Sequence, residues 1–180
     1  MRAKTHQLFG GTFGLVAILL IQGTGYMPKE SLIDSVIFMI FVLIGSLLPD
    51  IDHYKSTAGR KLPIVSHLIY LIFGHKTITH TLLFAVIVTG VAMIVSISLQ
   101  ITLYPAYGLF WGILSHLIGD MIVTGNKWHG GVPFFYPFTR KKFKFPVTIK
   151  INSFSEMLLR LCLLILNVGI VFLLFLGGDL

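Results

Sequence analysis

Histidine and aspartate are scarce in this chain, and most of them fall in four short stretches. THQ (5–7) carries His6, LPDIDH (48–53) carries Asp50, Asp52 and His53, GHKTITH (74–80) carries His75 and His80, and SHLIGD (115–120) carries His116 and Asp120. Imidazole nitrogens with carboxylate oxygens and no thiolate are a donor set for zinc, manganese or iron rather than for a soft metal. His116 and Asp120 stand four residues apart, so on a helix they share one face, one turn from each other. Asp50 and Asp52 are close enough to repel, and both stay ionised only with a cation between them. If LPDID is extended, its alternate residues point the same way, so both carboxylates reach one site while Ile51 turns to lipid or protein. The bland alternatives are a buried His–Asp hydrogen bond for the first pair and a solvated helix stop for the second.

These residues are set in apolar sequence. Of 180 residues 55% are hydrophobic and 12% charged, and the mean hydropathy is +0.87. A soluble domain carries about twice that charge, so the composition indicates an integral membrane protein with residues 1–180 as one domain. Apolar runs of spanning length predict helices at Leu8–Ile21, Leu32–Leu48, Thr81–Leu103, Ala106–Thr124 and Met157–Leu176. Leu62–Phe73 is too short to span and reads as an interfacial or re-entrant helix. The expected fold is therefore an all-α polytopic membrane bundle of about five transmembrane helices plus that short one. Cys162, the one cysteine, lies in an apolar run, so disulfides play no part. Residues 125–152 form the longest polar connection, broken by Pro133, Pro137 and Pro146.

On this layout every Lys and Arg except Lys29 falls on one side of the membrane. The positive-inside rule puts that side, and the N-terminus, in the cytoplasm and the C-terminus outside. The location is thus a multi-pass place in the cell's inner, cytoplasmic membrane. Arg2, Lys4 and the first apolar run could instead form a signal peptide, but they lack a clear small-residue cleavage site. The TRKKFKF run brings Arg140, Lys141, Lys142 and Lys144 to the inner leaflet, where anionic lipid is the expected contact rather than nucleic acid.

The same topology gathers the chemistry. His6, Asp50, Asp52, His75, His80, His116 and Asp120 all belong to cytoplasmic ends or halves of helices, whereas chance would scatter them over both faces. Ionisable groups inside a span cost about 2.5–3.5 kcal/mol each on insertion scales, which makes them functional candidates. With the fourth helix ending at Gly125, His116 lies about 13 Å deep. Gly10-x-x-x-Gly14 and Gly108-x-x-x-Gly112 allow close helix approach that could bring His6 toward His116. Lys76, beside His75, could contact a phosphate, the alternative being the topological role of most lysines at an inner interface. His53 reads as a ligand or an interfacial cap, His67 as interfacial and His129 as solvated, and Thr77 or Thr79 as the N-cap of the third span.

The pieces THQLFGG, LPDIDHYKSTAGR, GHKTITHT and SHLIGDMIVTGNKWHGGVPFFYPF, in this order over residues 5–138, resemble the YdjM-like family of LexA-regulated inner-membrane proteins described as metal-dependent hydrolases. That resemblance implies a more distant one, to the zinc-dependent phospholipase C and single-strand nuclease superfamily, all-helical enzymes that bind clustered zinc through His and Asp. Their His-x-x-x-Asp matches His116 and Asp120. An early His matches His6, an Asp matches Asp50 or Asp52, and the next His matches His80 or His75. The superfamily's late His and Glu ligands have only His129 and Glu156 as counterparts here, so one or two ions are implied rather than three.

The function expected is hydrolysis of a phosphoester, in a phospholipid or lipid-linked substrate at the inner leaflet, by metal-activated water. Zn2+ is the expected ion, with Mn2+ or Fe2+ as alternatives. His6, Asp50, Asp52, His75, His80, His116 and Asp120 are the metal candidates. Asp50 and Asp52 are also the catalytic candidates, the one less committed to metal orienting or deprotonating water, and Lys76 would bind substrate. The competing readings are a metal or proton transporter using the same cluster, and a non-catalytic membrane scaffold.

Overall fold

The computed structural model describes residues 2–21, 32–124, 131–146 and 148–176. The α-helices there are α1 (Ala3–Ile21), α2 (Leu32–Gly45), α3 (Thr57–Lys61), α4 (Pro63–Phe73), α5 (Leu82–Ser98), α6 (Tyr104–Ile122) and α7 (Phe154–Leu176), with 3-10 turns at Leu48–Asp52 and Ile78–His80. The all-α class is as expected. The one sheet among the described residues is a parallel pairing of β1 (Val123–Thr124) with β2 (Ile149–Lys150). Leu32–Asp52 and Phe154–Leu176 are long and apolar enough to cross a membrane, with mean hydropathies of 2.3 and 2.6, while α4 and α5 are apolar but shorter.

Helix α6 is the centre of the assembly, packed by α1, α2 and α5, with α7 on the far side of α1. Its fit to α2 is a contact of backbones. A Cβ on Gly112 would lie 2.2 Å from the Val42 carbonyl oxygen, and one on Gly45 would lie 2.6 Å from that of Leu109. The Gly108/Gly112 pair thus serves close approach, as its spacing predicts. The Gly10/Gly14 pair faces α2 instead, against Ser46 and Met39, though Gly10 also reaches Ser115 of α6. Phe38 and Val42 of α2 pack with Leu15, Ile18, Ile170 and Leu174 in the larger apolar cluster, and Ala85, Ile113 and Leu117 join α5 to α6 in the smaller. The remaining apolar surface of α5 and α7 faces outward, Val91, Ile94, Ile165 and Phe172 among it.

Several local expectations are corrected. Helix α2 stops at Gly45, not at Pro49. Proline has no N–H to offer the Gly45 carbonyl and its ring would collide there. Ser46 N–H still reaches Val42 O at 2.9 Å, Leu47 N–H turns to Ile44 O at 3.1 Å, and Pro49 enters the first turn of the 3-10 helix. LPDID is therefore a tight helical turn rather than extended chain. Helix α1 begins at Ala3, so His6 lies inside it rather than ahead of it. Helix α6 ends at Ile122, which puts His116 about 9 Å from that end. The N-cap of α5 is Thr81, whose Oγ accepts from the Phe84 N–H at 3.0 Å. Thr77 donates back to the Phe73 carbonyl, and Thr79 is engaged elsewhere.

Two connections shape the end where α6 finishes. Gly74 closes α4 in the left-handed region (φ 73°), where glycine carries no Cβ penalty. Residues 131–146 fold back over α5 and α6. Leu82 N–H reaches Phe134 O at 2.9 Å, Phe145 N–H reaches Met121 O at 3.0 Å, and Val132 bridges Phe143.

Candidate metal centre

Four elements converge at this end. Helix α1 brings His6, the 3-10 turn after α2 brings Asp50 and Asp52, the 3-10 turn before α5 brings His80, and α6 brings His116 and Asp120. His6, Asp52, His80, His116 and Asp120 are buried, and Asp50 keeps 21% exposure. The Nε2 of His80 stands 3.7 Å from Asp50 Oδ1 and 3.6 Å from Asp120 Oδ2. The Nε2 of His116 stands 3.7 Å from the same Asp50 oxygen and 3.9 Å from the same Asp120 oxygen. His6 Nε2 lies 3.4 Å from Asp120 Oδ1. Ligand atoms fall within 4.8 Å of one another in three overlapping sets: His6, Asp50 and His116; His80, His116 and Asp120; and Asp50, Asp52 and His80.

These separations exceed hydrogen-bond length, and the imidazole nitrogens at the centre show it. Both nitrogens of His6, Nε2 of His80 and Nε2 of His116 are buried without a hydrogen-bond partner. Such orphans are costly in a folded chain, and a cation among them and the carboxylates would satisfy them together. The His6 and His116 rings stack at 3.8 Å, 5° from parallel. So close a stack disfavours a charge on both rings at once.

The outer atoms of the same residues are fixed. His116 Nδ1 lies 2.7 Å from the Ser46 carbonyl, so it carries the proton and Nε2 is the free donor atom. Asp52 accepts from the Lys76 N–H at 2.8 Å and the Thr79 hydroxyl at 2.7 Å on Oδ2, and its Oδ1 lies 2.8 Å from His75 Nδ1. His80 Nδ1 lies 3.0 Å from the Thr79 hydroxyl and 3.3 Å from Asp52 Oδ2, which together turn Nε2 of His80 inward. Burial works to lower the His80 pKa, but the nearby carboxylates of Asp50, Asp52 and Asp120 raise it to about 9.

The remaining sequence candidates sit around this centre. His75 belongs to none of the three sets; it meets Asp52 and is one-third exposed. The ammonium of Lys76 pairs with Asp120. His53 lies with its ring 4.9 Å from that of His75, and burial together with His75 holds its pKa below the ordinary value. His67 is exposed on α4, in keeping with an interfacial place. His129 and Lys127 lie outside the described residues. Glu156 is buried at the start of α7 and also stands outside the three sets. It accepts from the Thr5 hydroxyl at 2.9 Å and from the backbone N–H groups of Arg2 and Asn152, and so pins the residue next to His6. The roles of Ser46, Thr79 and Glu156 were not read from sequence. A carbonyl acceptor leaves no signature in residue type, and a Thr before a helix first suggests a cap.

The model of the family described as YdjM inner membrane protein matches residues 1–177. YvsG of Bacillus subtilis (strain 168), an uncharacterized protein, is 33% identical over 162 residues, 88% of this chain and 86% of that protein. The inner membrane protein YdjM of Escherichia coli (strain K12) and that of Shigella flexneri are each 36% identical over 109 residues. That alignment takes in 59% of this chain and spans about half the length, 52%, of the YdjM proteins. No solved structure matches.

Proposed function

The chain belongs to the YdjM inner membrane protein family, and from that premise and the geometry above we propose that it is an inner-membrane, metal-dependent hydrolase of phosphoesters in phospholipid or lipid-linked substrates. The observation that carries this reading is the convergence of His6, His80 and His116, with four unpartnered buried nitrogens, on Asp50 and Asp120. Two candidate spans are joined in this reading by α1, α5 and α6. At 17 to 19 residues these are about 26–29 Å long, close to the hydrocarbon thickness. Helix α4, too short to cross, lies at the interface. The N-terminus is then cytoplasmic, the C-terminus external, and the centre sits at the inner leaflet.

His6, Asp50, His80, His116 and Asp120 would hold one or two ions, zinc fitting the nitrogen and oxygen donors best. A bound ion supplies a water of lowered pKa and a Lewis acid for a phosphoryl oxygen. Asp50, the most solvent-open of the three carboxylates, would orient a water at the site and accept its proton through the oxygen not held by metal. Asp52 holds His80 in orientation, and the Ser46 carbonyl does the same for His116. Lys76 presents a positive charge beside Asp120, where it offsets charge developing on the phosphoryl group.

The test is elemental analysis of purified protein together with hydrolysis of a panel of phospholipids and simple phosphoesters. The expected result is about one or two divalent ions per chain, with turnover abolished by chelation and restored by zinc. Protein without bound metal and without turnover on any phosphoester would overturn the reading.

A further inference from the structure

A cavity of about 370 Å³ opens beside the metal centre, between the end of α4 and the returning connection. Its polar lining is His75 and Lys76 from one segment and Tyr136, Arg140 and Lys142 from the other. Among the described residues no carboxylate lines it; Lys76 pairs with Asp120 of the centre, and Arg140 and Lys142 bring two further positive charges without an acidic neighbour in the wall. Ile72 and Phe73, the exposed last residues of α4, form an apolar wall. Two of the lining residues reach the centre itself: His75 meets Asp52, and Lys76 meets Asp52 through its N–H and Asp120 through its ammonium. Lys76 adopts a positive φ of 55°, a conformation lysine rarely takes, and it lets one residue face both places.

The size is that of a small-ligand pocket, and the lining is divided. Arginine and lysine together recognise phosphate oxygens, whereas the apolar wall continues along α4 through Leu68 and Leu71, both exposed. We infer that this cavity receives the phosphate group of an amphiphilic phosphate ester, its oxygens on Arg140 and Lys142 and its chain along Ile72 and Phe73. Binding at this cavity stands apart from the hydrolase reading; only cleavage of the bound ester rests on it. The cavity divides the basic run into residues that bind the phosphate, Arg140 and Lys142, and residues outside its walls.

The experiment measures binding to metal-free protein in detergent by calorimetry, so that no turnover is needed. The probes are dihexanoyl phosphatidic acid below its micelle concentration, the neutral dihexanoyl phosphatidylcholine, and inorganic phosphate. The phosphatidic acid should bind at least about tenfold more tightly than either other probe, because it alone has both an unshielded phosphate and chains. The double variant Arg140→Gln/Lys142→Gln should weaken it by about tenfold or more. The double variant Lys55→Gln/Arg60→Gln, which removes the same charge from exposed residues outside the cavity, should leave it within about twofold. Unchanged affinity in the first variant, or an equal loss in the second, overturns the pocket. Inorganic phosphate binding as tightly as the lipid overturns the apolar half of it. Selective binding without hydrolysis on metal reconstitution would leave the pocket standing and sink the hydrolase reading. Hydrolysis with binding and KM indifferent to Arg140→Gln/Lys142→Gln would do the reverse.

Discussion

At Asp52, donors from Lys76, Thr79, His75 and His80 crowd two oxygens, whereas Asp50 keeps an open side. The two carboxylates that look equivalent in LPDIDH therefore separate in variants. Asp52→Asn replaces one acceptor oxygen with a donor, so His80 loses one of the two groups that orient it. Metal affinity should fall by about 10–100-fold, with activity partly recovered at high zinc. Asp50→Asn should weaken zinc binding too, but its kcat should stay at least about a hundredfold low even at saturating zinc, because the proton acceptor is gone. Zinc titrations of turnover in the two variants check this; the same kcat at saturating zinc in both would remove the distinction. His80 adds a pH signature. Its pKa of about 9 in the metal-free fold lies above the ordinary 6.5, so its ion-pairing stabilises that fold fully below pH 6.5 and is lost as pH rises through about 9. Metal must displace the same proton. Zinc affinity, measured by chelator competition, should climb between pH 6.5 and 9, while the melting temperature of metal-free protein declines over the upper part of that range. A flat affinity profile would mean that His80 is not a ligand.

The elements are legible where apolar runs are long and opaque where chemistry interrupts them. The runs that form α5 and α7 can be placed within a few residues, because apolar length alone marks them. The stop of α2 lies four residues before the one expected at Pro49, since a proline forbids helix geometry back to the carbonyl four residues before it. The spacing of His116 and Asp120 is readable because a helix fixes it. The contact of His116 with the Ser46 carbonyl is not, because it depends on how closely α2 and α6 approach, and glycine spacing gives that approach without naming its partner. This closeness yields a paired test. Gly112→Val puts a branched side chain 2.2 Å from a backbone oxygen that cannot move aside. It should destabilise by at least about 1–3 kcal/mol and strip the metal, since Ser46 and His116 separate. Gly90→Ala, on the same bundle but with nothing within 4 Å of the new Cβ, should be neutral or stabilise by up to about 1 kcal/mol. Thermal unfolding in detergent with metal content distinguishes them, and a well-folded, metal-replete Gly112→Val protein would contradict the packing described.

For the whole molecule, the decisive property is that the site lies at one end of the bundle. Asp50, His80 and Asp120 belong to elements that would enter or leave the membrane at the same face, and residues 131–146, with most of the basic charge of the connection, cover that face. On the proposed function, a site so placed would meet lipid head groups of one leaflet by lateral diffusion and need not open a path across the bilayer. On the proposed topology the charge bias points to the cytoplasmic leaflet: the segment Arg140–Lys144 carries four of the fourteen basic residues, the kind of segment that the positive-inside rule keeps inside. Cysteine substitutions read this directly once Cys162 is replaced by alanine. In intact cells a membrane-impermeant maleimide should leave Lys142→Cys and Lys55→Cys unlabelled, and both should label after the membrane is opened. A reporter fused after Leu176 should register as external if, as proposed, the chain crosses five times. Labelling of Lys142→Cys in intact cells would turn the molecule over, place the centre at the outer leaflet and require a substrate from that side. A cytoplasmic reporter at Leu176 with Lys142→Cys protected would instead mean that α7, the one helix described between those two positions, does not cross the membrane.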